Sequence, residues 1–201
     1  MLSSLPVFLV PGRLFIHLAQ QLGAQTPHFM LNMKPRRCVG MILSTHAIVG
    51  GAIASLFPSD PLNAAVFGFA SHFAIDAIPH WDYPLRSISV GKGADNQRLR
   101  LSQAVMIDVM CVGTDACAGL ALASWLFATN ASAWVITLGA LSAMVPDPLQ
   151  LAHSIYPREP LVTVQRFHGW IHSKRKLGWK LGLSSQIVFA AAVSALTETV
   201  R

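Results

Sequence analysis

Between Leu101 and Ala128 the chain runs without a single Lys, Arg or Glu, and its only charges are Asp108 and Asp115. An α-helix needs about 20 apolar residues to cross the roughly 30 Å hydrocarbon core of a bilayer. This run is long enough, and so is Lys176 to Leu196. Three shorter apolar runs accompany them. Thr45 to Phe57 is stopped by Pro58, Leu62 to Ile78 lies between Pro61 and Pro79, and Ala131 to Val145 is stopped by Pro146. Proline lacks the N–H that would continue a helix. No alternating period-two pattern of useful length occurs, so no sheet is expected. The expectation is an all-α, membrane-embedded bundle of about five helices, some of them short.

Composition narrows the class further. Charged residues make up 12% of the 201, where a soluble domain carries about 25%. Hydrophobic residues make up 53%, and the mean hydropathy is +0.48. A disordered chain would need the opposite balance. An ordinary soluble enzyme of this size would have too much surface for so few charges. The 3 cysteines, an odd number without C-x-x-C spacing, exclude a disulfide scaffold.

Residues 1–40 differ from the rest. They hold Pro6, Pro11, Pro27 and Pro35 and show no helical period. No basic residue precedes the apolar Leu2 to Val10, and Pro6 interrupts it, which makes it a poor signal peptide. The functional chain is expected to start at Met41, with 1–40 a loose extension or a start-site artefact and 41–201 a single helical membrane domain.

The net charge of +6 is carried by loops. Lys34, Arg36 and Arg37 precede the first helix; Arg86, Lys92, Arg98 and Arg100 lie between the second and third; Arg158, Arg166, Lys174 and Arg175 lie between the fourth and fifth. The other two loops contain no basic residue. Basic loops favour the cytoplasmic side. The expected location is a bacterial-type inner (cytoplasmic) membrane with the N-terminus in the cytoplasm. Basic residues confined to loops point to membrane lipid as a partner and away from nucleic acid.

Under this topology, sequence-distant His and Asp residues converge at the cytoplasmic helix ends. They are His46, His72, Asp76, His80, Asp108, Asp147, His168 and His172. His72 and Asp76 are four apart, as are His168 and His172, a spacing that puts two ligands on one helix face. Imidazole and carboxylate together suit Zn²⁺, Mn²⁺ or Fe. Without a well-placed Cys, an open catalytic site is favoured over a closed structural zinc site. Eight candidates exceed one tetrahedral shell, so two ions, or one ion with an outer layer of supporting groups, are both open. Carboxylates inside apolar helices are costly and tend to be functional. On that ground Asp108 is read as a ligand or general base, and Asp115 as a structural or proton-relay group. Blander readings stand beside these. Any one of the His can be a core residue, Asp82 a cap for the turn after Pro79, and Asp147 simple turn chemistry. Cys111 and Cys117 read as core. Gly50, Gly51, Ala54 and Ser55 read as a small-residue packing face. The five Trp read as an interfacial belt, and Lys174 to Lys176 as a solvated edge able to steer a phosphate group.

Three pieces resemble the integral-membrane metal-dependent hydrolase family of the LexA-regulated inner-membrane type. They are His46, the segment GALSAMVPD (Gly139 to Asp147), and FHGWIHS (Phe167 to Ser173). The family's Arg after the first His of the last motif is missing here, and Ile171 stands where Thr is usual. More faintly, Thr45-His46-Ala47 and the His72/Asp76 pair followed by Pro79-His80 are similar to zinc-dependent phospholipase C. That resemblance implies a helical fold holding several zinc ions, with Asp76 able to bridge metals. Together these imply hydrolysis of an ester or phosphoester, a lipid among the candidates, at a divalent metal, zinc or manganese. The metal ligands would be His46, His72, Asp76, His80, Asp147, His168 and His172. The rival readings are a membrane protein whose metal site is only structural, and a haem-binding redox protein with axial histidines.

Overall fold

The computed structural model describes residues 42–82, 85, 103–128 and 133–200. The start-site expectation for 1–40 and the basic residues at 86–100 lie outside them. The described residues belong to one compact unit, Arg36–Arg201. They form seven helices and no strand: α1 (Leu43–Ala54), α2 (Pro61–Asp76), α3 (Gln103–Phe127), α4 (Ala133–Met144), α5 (Pro146–Ile155), α6 (Leu161–Ile171) and α7 (Trp179–Val200).

The five expected helices are present, as α1 to α4 and α7. Two more, α5 and α6, are added where a connecting segment was expected. Pro146 was expected to stop the fourth helix, yet it begins α5. Its missing N–H is harmless in a first turn, and the backbone carries on across it through Val145 N–H to Leu141 C=O at 3.1 Å and Leu149 N–H to Val145 C=O at 3.1 Å. Asp60 starts α2 by accepting the Asn63 N–H at 3.0 Å, with Pro61 in the first turn.

Three stretches are long and apolar enough to cross a membrane: Val105–Phe127, Ala133–His153 and Trp179–Val200. At 1.5 Å per residue, α1 spans only about 18 Å and is enclosed instead. It packs against α2, α3, α4 and α7, and α2 also packs against α4.

Small residues make up much of the core, beside larger ones such as Phe127, Ile136 and Met144. Ala47, Ala52, Ala54, Ala64, Ala123, Ala140 and Ala143 are all buried. Many large apolar side chains point outward, among them Met110 and Trp125 on α3 and Leu181 and Val188 on α7. Lipid is as apolar as a leucine core, so nothing drives large side chains inward, and small residues are selected because they let backbones close together. A Cβ on Gly68 would lie 2.5 Å from the Gly139 carbonyl oxygen, and one on Gly50 would lie 2.5 Å from the Ala143 Cβ. The small-residue face read in α1 is therefore a packing face, as expected. Cys111 and Cys117 are not core but exposed on α3. A weakly polar thiol needs no burial on an apolar outer face.

Gly139→Val is expected to destabilise the detergent-solubilised protein by about 1–3 kcal/mol through overpacking. Gly113→Ala, with nothing within 4 Å of its added Cβ, is expected to be neutral or to stabilise by up to about 1 kcal/mol. Thermal unfolding followed by circular dichroism tests both.

Candidate metal centre

Four helices, α1, α2, α5 and α6, deliver polar groups to one end of the bundle, with the segments that follow α2 and α6. His46 comes from the first turns of α1, His72 and Asp76 from the last turns of α2, and Asp147 from the first turn of α5. His168 comes from the end of α6, and His172 caps that helix. His80 and Asp82 follow α2, in a segment held to the one after α6 by a parallel bridge between His80 and Lys176. The Ser173 N–H also donates to the Asp76 carbonyl at 2.8 Å.

Asp76 is the hub. Its Oδ2 accepts from His168 Nε2 at 2.7 Å and lies 3.2 Å from His72 Nε2 and 3.8 Å from His172 Nε2. Its Oδ1 lies 3.4 Å from His46 Nε2. His72 Nε2 is also 3.8 Å from Asp147 Oδ1. His46, His72, Asp76 and His168 are buried.

The hydrogen positions expose a problem that a cation would solve. His72 Nδ1 is 2.8 Å from the Ala143 carbonyl, which can only accept, so Nδ1 carries the proton and the neutral ring offers a lone pair at Nε2. That lone pair faces two carboxylates. The His46 and His72 rings stack with centroids 4.2 Å apart, an arrangement hostile to two charged rings. Both ring nitrogens of His46, Nε2 of His72 and Oδ1 of Asp76 have no hydrogen-bond partner. Such buried, unpaired polar atoms are costly. One donor atom from each of His72, Asp76, Asp147 and His168 falls within 4.8 Å of the others. These residues fit a divalent ion, two imidazoles and two carboxylates being a borderline-hard set. A carbonyl holding the far nitrogen of a ligand imidazole is the usual supporting contact.

A second set, Asp76, His80 and His172, meets the same distance criterion. His80 Nδ1 donates to the Ile78 carbonyl at 2.7 Å. Its Nε2 lies 2.9 Å from Asp82 Oδ1, and Lys176 Nζ lies 2.6 Å from Asp82 Oδ2. Burial opposes the charge on Asp82, but the contacts from His80 and Lys176 outweigh it and hold the carboxyl below its usual range. Burial also lowers the imidazole of His172; Asp76 opposes that shift, and Lys176 and His80 reinforce it.

All seven residues expected as ligands therefore sit at one end of the bundle, though His46 belongs to neither four-ligand nor three-ligand set. Asp108 is buried on α3 but outside both sets. Asp115 accepts the Ser44 N–H at 2.9 Å, so of its two expected roles the structural one has a contact: it caps α1 from another helix. Asp82 is not a mere turn cap. It is 3% exposed and pairs with His80 of the second set. Lys176 was read as a solvated edge, yet its ammonium reaches that same buried carboxylate. The H-x-D spacing of His80 and Asp82 was the available signal for the first. For Lys176 there was none, because the bridge that places it is tertiary.

No family model, curated protein or solved structure matches the chain.

Removing the hub leaves several buried imidazoles without their counter-charge, a loss of the kind that costs about 3–5 kcal/mol. In chelator-treated protein, Asp76→Ala is expected to lower stability by that order, and Asp147→Ala by clearly less. Thermal unfolding of both variants in one detergent measures the difference.

Proposed function

We propose that this chain is a membrane-embedded, metal-dependent hydrolase of esters or phosphoesters, the lipid–water boundary supplying the substrate. The observation that carries the metal is the buried, unpartnered His72 Nε2 and Asp76 Oδ1, in a cluster where His72 Nε2 faces the carboxylates of both Asp76 and Asp147. The hydrolytic reading leans on the resemblance of His46, Pro146-Asp147 and His168 to His172 to a membrane hydrolase family. Zinc or manganese suits the donor set.

When bound, a divalent ion polarises the scissile group and lowers the pKa of water at its open position from 15.7 to about 7. The chain's own residues do the rest. Asp76 orients three imidazoles at once. The Ala143 carbonyl keeps the His72 lone pair aimed inward. The substrate side is the wetter one, where the side chains of Asp147 and His172 are 15% and 21% exposed. The exposed Lys174 and Arg175 beside His172 suit an anionic head group. Asp108, outside both sets, is given no step. The basic loops favour a cytoplasmic location for this end. A purely structural metal is the second reading, favoured by the complete burial of His46 and His72; metal retained without turnover of any ester supports it.

Detergent-purified protein is expected to hydrolyse an aryl phosphoester or carboxylic ester, to lose activity with chelator, and to regain it with zinc or manganese. Asp76→Asn and His168→Ala are each expected to weaken metal binding by more than about 100-fold, beyond the loss usual for supporting groups. Elemental analysis beside the activity assay checks both; wild-type protein free of metal after zinc or manganese loading overturns the reading. For orientation, Lys174→Cys in intact cells is expected to resist a membrane-impermeant maleimide and to react after permeabilisation.

A further inference from the structure

The metal reading above leaves one cation unexplained. Lys176 is 41% exposed along its side chain, yet its head group turns into the bundle. Three groups meet it there: Asp82 Oδ2 at 2.6 Å, His80 Nε2 at 3.3 Å and His172 Nδ1 at 3.4 Å. An ammonium only donates, and Asp82 Oδ2 accepts from it; the two imidazoles flank it, His80 Nε2 lying 2.9 Å from Asp82 Oδ1 and His172 Nδ1 3.2 Å from the Ser173 carbonyl. The His80 ring is fixed independently, at Nδ1 by the Ile78 carbonyl and at Nε2 by Asp82 Oδ1 at 2.9 Å. The lysine backbone is fixed as well, by the bridge to His80 and by the Leu177 N–H to His80 carbonyl bond at 3.0 Å.

These are the residues that a second metal would need. His80 and His172 belong to the second set of converging donor atoms, and the buried Asp82 lies against His80, its Oδ1 2.9 Å from His80 Nε2. A divalent ion among them would stand within a few ångströms of an ammonium, in a poorly screened site.

We propose that Lys176 is the resident cation of the second set. Its ammonium takes the place of a second metal ion, and the centre holds a single divalent ion at His72, Asp76, Asp147 and His168. His172 stays beside the ammonium, its Nδ1 donating to the Ser173 carbonyl at 3.2 Å. This inference rests on the metal-centre reading and fails separately from it.

The test is zinc stoichiometry in detergent-purified full-length protein, by elemental mass spectrometry after equilibration with zinc alone and removal of the free ion. Wild type is expected to hold about one equivalent and Lys176→Arg, which keeps a cation, about one. Lys176→Met is expected to gain a second, and Lys176→Met with Asp82→Asn to return to about one. Two equivalents in wild type overturn the proposal while leaving a metal centre standing. So does a folded Lys176→Met, matching wild type by circular dichroism and gel filtration, that gains none. Wild type without metal overturns both readings. A cobalt titration of the wild type, followed in the visible region, needs no variant: an end point at one equivalent supports the proposal and an end point at two overturns it.

Discussion

A single buried carboxylate, Asp76, organises this protein. Its two oxygens face imidazoles from α1, α2 and α6 and from the turn after α6. In an apolar bundle an isolated charge is expensive, and the cost falls only when partners are held close. The start of α1 must therefore meet the end of α2, and the end of α6 must reach both. The connections that do this are ordered by backbone bonds aimed at the same place, such as Ser173 N–H to the Asp76 carbonyl and Leu177 N–H to the His80 carbonyl. The polar cluster supplies the directionality that apolar packing in lipid cannot.

Small residues make that meeting possible. With α1 enclosed by four helices, its neighbours approach only because Gly50, Gly51 and Gly139 present no side chain at the crossings. On α7, Gly182 lets the chain lie against Trp81, and Gln186 donates to the Trp81 carbonyl at 2.9 Å. That contact docks α7 beside the segment carrying His80 and Asp82. Close packing and polar convergence are thus one arrangement: tight crossings bring the helix ends within reach of one carboxylate.

Most of the helices were legible in the sequence, because proline and apolar run length speak directly about a chain in lipid. The convergence of His46, His72, Asp76, His80, Asp147, His168 and His172 was legible too, since alternating basic loops place those residues at one side. What was hidden is tertiary. Pro146 reads as a stop, but in sequence a first-turn proline looks the same. Cys111 and Cys117 read as core under a rule that burial follows apolarity, and in lipid that rule loses its force. Asp82 and Lys176 are ordinary residues until the bridge between His80 and Lys176 brings their segments together.

Charge balance links the two sets. With neutral imidazoles, Asp76 and Asp147 carry two negative charges, which one divalent ion cancels. Asp82 carries one, which Lys176 cancels. Each set is then neutral by itself, the least costly state for ionised groups inside an apolar bundle. A second divalent ion beside a retained Lys176 would leave two positive charges uncompensated. A centre without any metal would leave the first pair of carboxylates to be met by protons on imidazoles, two of which are stacked. The burial of His46 and His72 together with the partial exposure of Asp147 and His172 gives the neutral assembly a dry back and a wetter front.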